Sequence, residues 1–185
     1  MPLSTNRLLL REFTMDDLDD LQEVLGDPLV MKFSLSGPCS RERTAKFIEG
    51  CINTYATGKA GLLAVVLRET EKVIGYCGFF YLQIDDIDEI EISYRLNSAY
   101  WNQGLATEAA SAMKNHAIAE MRLPRLIACI EPANLSSVRV AEKIGMHHEK
   151  NALFRDQIPV RVYSMENPYS PHRTNFDSDS DVAKE

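Results

Sequence analysis

At 185 residues with a formal charge of −7, the chain fits one domain that can bury a core without disulfide or metal staples. Its acidic balance argues against a general nucleic-acid binder, which needs a basic face to neutralise phosphates. A hydrophobic fraction of 45% with 25% charged residues excludes disorder over most of the length. No apolar run approaches the roughly 18 residues of a membrane span, and Met1-Pro2-Leu3-Ser4 does not open like a signal peptide. The expectation is a cytoplasmic protein that engages neither membrane nor nucleic acid. Cys39, Cys51, Cys77 and Cys129 are widely spread with no Cys-x-x-Cys pair, and the four histidines lack ligand spacing, so reduced thiols and no metal are expected.

In chain order, Asn6 to Phe13 reads as a strand, and Thr14 caps a helix with Asp16 and Asp17 in its first turn and Leu18, Leu21 and Leu25 on one face. That helix stops near Gly26-Asp27-Pro28. A second helix runs from a Ser40 cap through Phe47, Ile48 and Ile52 to Gly58. Three strands follow as an antiparallel meander: Leu62 to Leu67, Lys72 to Leu82 and Glu89 to Leu96. The next helix spans Gly104 to about Glu120, with alanines that permit close packing on a sheet. Leu126 to Ile130 is a strand, and Asn134 or Ser136 opens a helix that Gly145 closes. Phe154 and the alternating run from Val160 to Met165 suggest two final antiparallel strands. Residues 1–169 therefore read as a single α+β domain, and 170–185, polar and acidic, as a disordered tail.

The chemistry concentrates where the strand ending at Leu96 passes through a Gly104 loop into a helix. Such a junction gathers main-chain N–H groups at a helix N-terminus and suits phosphate. Gly104 lets the backbone approach closely, Ala106 does not obstruct, and Thr107 adds a hydroxyl. There is no Gly-x-Gly-x-x-Gly and no Gly-Lys-Ser or Gly-Lys-Thr, which weakens nicotinamide and ATP readings.

Glu91-Ile92-Ser93-Tyr94-Arg95-Leu96, a four-residue spacer, then Trp101-Asn102-Gln103-Gly104-Leu105-Ala106-Thr107-Glu108-Ala109 resembles the cofactor motif of GNAT acetyltransferases. It is similar in particular to the branch named after the acetyltransferases of ribosomal-protein N-termini. Arg7-Leu8-Leu9-Leu10-Arg11 with Asp16-Asp17, and the run from Asn134 through Ser137, Arg139 and Lys143 to Met146, resemble the same branch. Where the branch has Gly, this chain has Asn102; a positive φ suits Gly best and Asn next.

The resemblance implies a GNAT fold, a mostly antiparallel mixed sheet flanked by helices and splayed around acetyl-CoA. The main chain of Tyr94 and Leu96 would pair with the pantetheine arm as an added strand. Amides around Asn102, Gln103, Gly104, Leu105, Ala106 and Thr107 would hold the pyrophosphate. Asn134 would touch the pantetheine or fix the loop beside it, and Arg139 and Lys143 are candidates for the adenosine phosphates. Glu91 matches an acidic position and is the candidate base. Ser137 is the candidate donor to the leaving thiolate, with helix capping as its rival role. A main-chain N–H near Tyr94 would meet the oxyanion. Cys129 invites an acyl-cysteine route, but no histidine is spaced to activate it. Trp101 is expected as a packing anchor under the loop.

The implied activity is direct transfer of acetyl to a primary amine, a protein N-terminus or a small molecule, by a monomer or homodimer. The alternative is an inactive CoA-binding sensor of the same fold. Acceptor choice is expected from Met31 to Pro38, Asn53 to Ala60, Leu82 to Asp88 and Asn151 to Pro159.

Overall fold

Apolar residues that alternate along the strands, and recur every third or fourth position along the helices, give each element one face to bury. The structure is a computed structural model that describes residues 2–34, 36–155 and 157–170; the predicted tail from 171 onward lies outside the described residues. The strands are β1 (Leu3–Ser4), β2 (Leu8–Arg11), β3 (Leu62–Leu67), β4 (Lys72–Ile84), β5 (Ile87–Leu96), β6 (Arg125–Ile130), β7 (His147–Phe154) and β8 (Ile158–Glu166). The helices are α1 (Leu18–Leu25), α2 (Arg41–Ala56), α3 (Leu105–Ala119) and α4 (Leu135–Lys143). The strands form one sheet in the order β1-β2-β3-β4-β5-β6-β8-β7. Every neighbouring pair is antiparallel except β5 and β6, which run parallel. The α+β class and the β3-β4-β5 meander are as the sequence predicts.

The N-terminal region differs from expectation in two places. The first long strand contracts to Leu8–Arg11 because Thr5 N–H bonds the Leu8 carbonyl at 2.9 Å, closing a turn that folds Leu3 and Ser4 back as an extra edge strand. The helix after Thr14 starts as a 3-10 turn at Met15–Asp17. There Asp17 accepts from Thr14 N–H at 2.9 Å and from the Arg11 guanidinium at 2.8 and 2.7 Å. The α-helix proper begins one residue later.

Both sheet faces are covered. Ala109, Ala110, Met113 and Ala117 of α3, with Val138 and Ala141 of α4, are buried in one cluster with Leu8, Leu10, Ile74, Ile92 and Leu96. The alanines let the helix axis lie close to the strands. On the opposite face Leu21, Val24 and Leu25 of α1 and Ile48 of α2 bury Val66, Val73 and Tyr76.

The feature that positions the site is the junction of β5 and β6. Among the described residues they pair at a single register position, Glu91 with Ile127, and then diverge. On the other side of that pair, Arg125 ties the sheet halves together. Its Nε donates to Glu89 at 3.0 and 3.2 Å, its Nη1 to Glu166 at 2.9 Å and its Nη2 to Glu149 at 2.7 Å. These acids come from β5, β8 and β7. Arg125→Met would leave three carboxylates facing one another and should lower unfolding free energy by about 2–3 kcal/mol in urea titrations. Arg125→Lys should recover little, since one ammonium cannot serve three acids in a fork.

Candidate active site

Where two strands part, each loses its ladder partner, and the orphaned groups must be satisfied some other way. At this split the Cys129 N–H donates to Glu91 Oε1 at 3.0 Å, so the carboxylate stands in for a backbone acceptor. Glu91 is half-buried at the cleft, and burial pushes its carboxyl up to about 7, against the pull of the Cys129 N–H. A carboxyl tuned to neutrality in a cleft is suited to proton transfer.

Beyond Glu91 the edge of β5 is open. Asn97 N–H crosses to the Ile74 carbonyl of β4 at 2.8 Å, whereas Phe79 N–H, opposite Ile92, turns away to Gly61 at 3.2 Å. Hydrogen bonding alternates along an antiparallel pair. Ser93 and Arg95 therefore direct their main-chain groups to β4, and Ile92, Tyr94 and Leu96 direct theirs into the gap. Tyr94 and Leu96 are the positions predicted to pair with an extended arm, with one change: the Leu96 carbonyl accepts from the Trp101 indole N–H at 2.8 Å. That residue contributes its N–H alone. Trp101 itself is 40% exposed, so it anchors the loop by this bond rather than by burial beneath it.

The loop continues with Asn102 at φ 59° and Gly104 at φ 78°. Asn102 takes the left-handed conformation anticipated for it. Gly104 precedes α3 with no side-chain cap, and the first intrahelical bond is Glu108 N–H to Gly104 O at 3.0 Å. From 102 to 107, no main-chain N–H has an acceptor among the described residues. Six successive donors at the positive end of a 15-residue helix form a cradle for an anion.

Sequence reasoning missed what holds this cradle. Glu108, in the first turn of α3, accepts from Thr5 Oγ1 at 2.6 Å, Arg7 N–H at 2.9 Å and Arg7 Nε at 2.7 Å. Arg7 Nη1 then donates to the Gln103 carbonyl at 3.0 Å. Burial raises the Glu108 carboxyl, but the Thr5 hydroxyl and the donors and charge of Arg7 outweigh it and hold it below the usual range. The turn between β1 and β2 thus pins both the loop and the helix that follows it. Glu108→Ala should weaken binding of a CoA-type ligand about tenfold and lower the melting temperature, as read by calorimetry. Adding Arg7→Ala should cost little more, because both substitutions break one network.

On the opposite face of β5 from Glu91, Tyr94 Oη donates to the Ser137 carbonyl at 2.9 Å and accepts from Ser137 Oγ at 3.2 Å. Burial raises the Tyr94 phenol, keeping it protonated. Its hydroxyl went unnoticed in the sequence because its partner is remote along the chain. Asn134 Oδ1 caps α4 by accepting from Ser137 N–H at 3.2 Å and Ser136 Oγ at 2.8 Å. This leaves its amide nitrogen for a ligand. Asn134, not Ser137, is the cap of α4, so the capping role weighed for Ser137 is not the one it fills; its hydroxyl bonds Tyr94 Oη beside the cleft.

A cleft with about 120 Å³ of internal space runs through the split, lined by residues 91–95, 128–131, Asn134, Ser137 and Phe33. Phe33 comes from the α1–α2 connection, one of the predicted acceptor-facing segments. Cys129 lines the cleft too, but burial, followed by the charges of Glu91 and Glu89, pushes its thiol up to about 12. It is no thiolate near neutral pH. Arg139 and Lys143 are exposed on α4 without a partner among the described residues, and no contact links them to the cradle. Among the described residues no group of three His, Cys, Asp or Glu could hold a metal, and no helix is long and apolar enough to cross a membrane.

The fold is shared with known proteins. The uncharacterised N-acetyltransferase YnaD of Bacillus subtilis (strain 168) is 35% identical over 159 residues, 86% of this chain and 89% of its own. A GNAT-family acetyltransferase structure from Bacillus anthracis superposes with a TM-score of 0.77 at 29% identity, over 90% of this chain and 99% of that one. The ribosomal L7/L12 α-N-protein acetyltransferase RimL, in complex with coenzyme A, superposes at 0.72 with 18% identity, over 90% of this chain and 98% of that one, a likeness of fold. The acetyltransferase (GNAT) domain profile matches residues 7–147, from the arginine that pins the cradle to the start of β7, and the chain belongs to that family of acetyltransferase enzymes.

Proposed function

We propose that the protein transfers the acetyl group of acetyl-CoA to a primary amine, by direct attack while both are bound, in the manner of the ribosomal-protein N-terminal branch. The observation that carries this reading is the run of unpartnered N–H groups from 102 to 107 beside the open edge of β5. It fits a pyrophosphate joined to an arm that lies along Tyr94. Acetyl-CoA supplies an acetyl carbon activated as a thioester.

Glu91 takes a proton from the incoming ammonium, directly or through water, on the face of β5 that carries Arg95, in the cleft that Phe33 also lines. The gap-facing N–H of Tyr94 offers a donor to the oxygen that gains charge. On the other face, the Ser137 hydroxyl turns from Tyr94 Oη to the departing sulfur and passes it a proton while taking one from the Tyr94 hydroxyl, which solvent restores. Proton removal and proton delivery are thereby separated by the thickness of one strand. The high-lying Cys129 thiol supports transfer without an acyl-cysteine. The reading includes a cytoplasmic enzyme, monomeric or dimeric, that uses no metal, with Asn134 steadying the arm and Arg139 and Lys143 nearest the adenosine end.

The test is incubation with acetyl-CoA and a panel of amines and peptides, following release of free thiol and acetylated product. Turnover with at least one amine is expected. A CoA-induced rise in melting temperature with no acetylation of any amine would instead identify a CoA sensor, and no rise at all would remove the cradle assignment.

A further inference from the structure

Glu91, Ser93 and Arg95 alternate onto one face of β5, the face turned toward α1 and α2, and all three line the cleft. Arg95 is half-buried there. Its guanidinium lies 5.9 Å from the Tyr76 ring and donates to the Met31 sulfur. Neither is a counter-ion, and a thioether is a weak acceptor. Arg7, Arg11 and Arg125 each have a carboxylate partner; among the described residues none pairs with Arg95, which, unlike the exposed Arg139, stands inside a cleft. In a chain of net charge −7, a guanidinium without an acid inside a cleft is held in place by neutral groups. Its five fixed donors remain suited to an anion.

The charges across the cleft are ordered. Glu91 and Glu131 stand at the gap between β5 and β6, where an ammonium would be received. Arg95 stands toward the α1–α2 connection, where Lys32 also lies, 5.2 Å from the ring of Phe33. Four residues of extended strand separate Glu91 and Arg95, about 13 Å between Cα atoms. The Arg95 side chain leans sideways over Tyr76, its own cross-strand partner, rather than back along the strand to Glu91.

We propose that Arg95 binds an anionic group of the acceptor, so that the amine acetylated here carries a carboxylate several bonds from its reacting nitrogen. This rests on the acetyltransferase reading and narrows it. A polyamine would bring a second ammonium against Arg95. A side-chain carboxylate stands further from the amine than the α-carboxylate does, as an acceptor bridging two separated charges requires, whether in a free amino acid or beside the free N-terminus of a peptide.

Matched acceptors distinguish the two sources. One series sets free glutamate and aspartate against glutamine and asparagine; the other sets short N-terminally free peptides with glutamate at the second place against the same peptides with glutamine. The carboxylate member is expected to be favoured about 10- to 100-fold in kcat/KM in one of the series, chiefly through KM. Arg95→Gln should bring that ratio close to one while the CoA-induced rise in melting temperature persists, and Arg95→Lys should retain part of the preference. Turnover without preference in either series, or a preference that survives Arg95→Gln, would overturn the inference alone. Absence of thiol release with every acceptor would overturn the acetyltransferase reading and this inference together.

Discussion

Glu91→Gln is expected to lower kcat/KM for an amine acceptor by about 10²- to 10³-fold near neutral pH, the range lost when a positioned general base is removed. Glutamine preserves shape and keeps an oxygen for the Cys129 N–H, so the strand junction should survive and CoA affinity should change little. In the wild type the activity limb should rise through about 7, where burial has brought the Glu91 carboxyl; in the variant that limb should vanish and leave only the titration of the amine. Stability should move the opposite way. A carboxyl raised in the folded state binds its proton more tightly there than in the unfolded chain. Its contribution is therefore fully present below the ordinary value near 4.5 and lost as pH rises through about 7. Above that pH the variant should melt at or above the wild-type temperature. Unchanged rates and an unchanged pH profile in Glu91→Gln would end its candidacy as the base.

Gly104→Glu should weaken CoA by at least 100-fold in titration calorimetry. Two effects add. At φ 78° a residue with a Cβ costs about 1 kcal/mol more than glycine, and the new carboxylate then faces the pyrophosphate. Simple crowding is not the cause, because a Cβ at this position would meet only Arg7 Nη2, at 3.7 Å. Gly104→Ala therefore isolates the backbone effect and should weaken binding only severalfold. The same proximity gives the glutamate variant a second consequence: it competes with Glu108 for Arg7 and loosens the pin between β2 and α3. Wild-type CoA affinity in Gly104→Glu would show that the anion lies elsewhere.

Both substitutions fall on residues that could be picked out from the chain alone, and the reason is local. The cradle is written in consecutive positions: Asn102 and Gly104 supply left-handed conformations, and the absence of a capping side chain before Leu105 leaves the first amides of α3 free. The cap of α4 at Asn134 is equally local. What could not be read involves partners far apart in sequence. The bond between Tyr94 and Ser137 spans 43 residues and the anchor from Arg7 to Glu108 spans 101. Neither spacing carries a period. The extra strand β1 was invisible for another reason, since two residues hold no pattern. The parting of β5 from β6 at Glu91 belongs to the tertiary arrangement; each strand taken alone looks complete.

That parting has a mechanical meaning. A backbone ladder transmits cooperativity from strand to strand, and here the ladder across the middle of the sheet is one register pair backed by a cluster of ion pairs around Arg125. The main-chain ladder thus divides the sheet into β1 to β5 and β6 to β8, while the buried cluster under α3 and α4 runs across both. An arm lying along Tyr94 and Leu96 would occupy the missing rungs. Ligand binding and cohesion of the two parts would then draw on the same hydrogen bonds, making the acetyl donor, while it is bound, a structural member of the sheet that processes it.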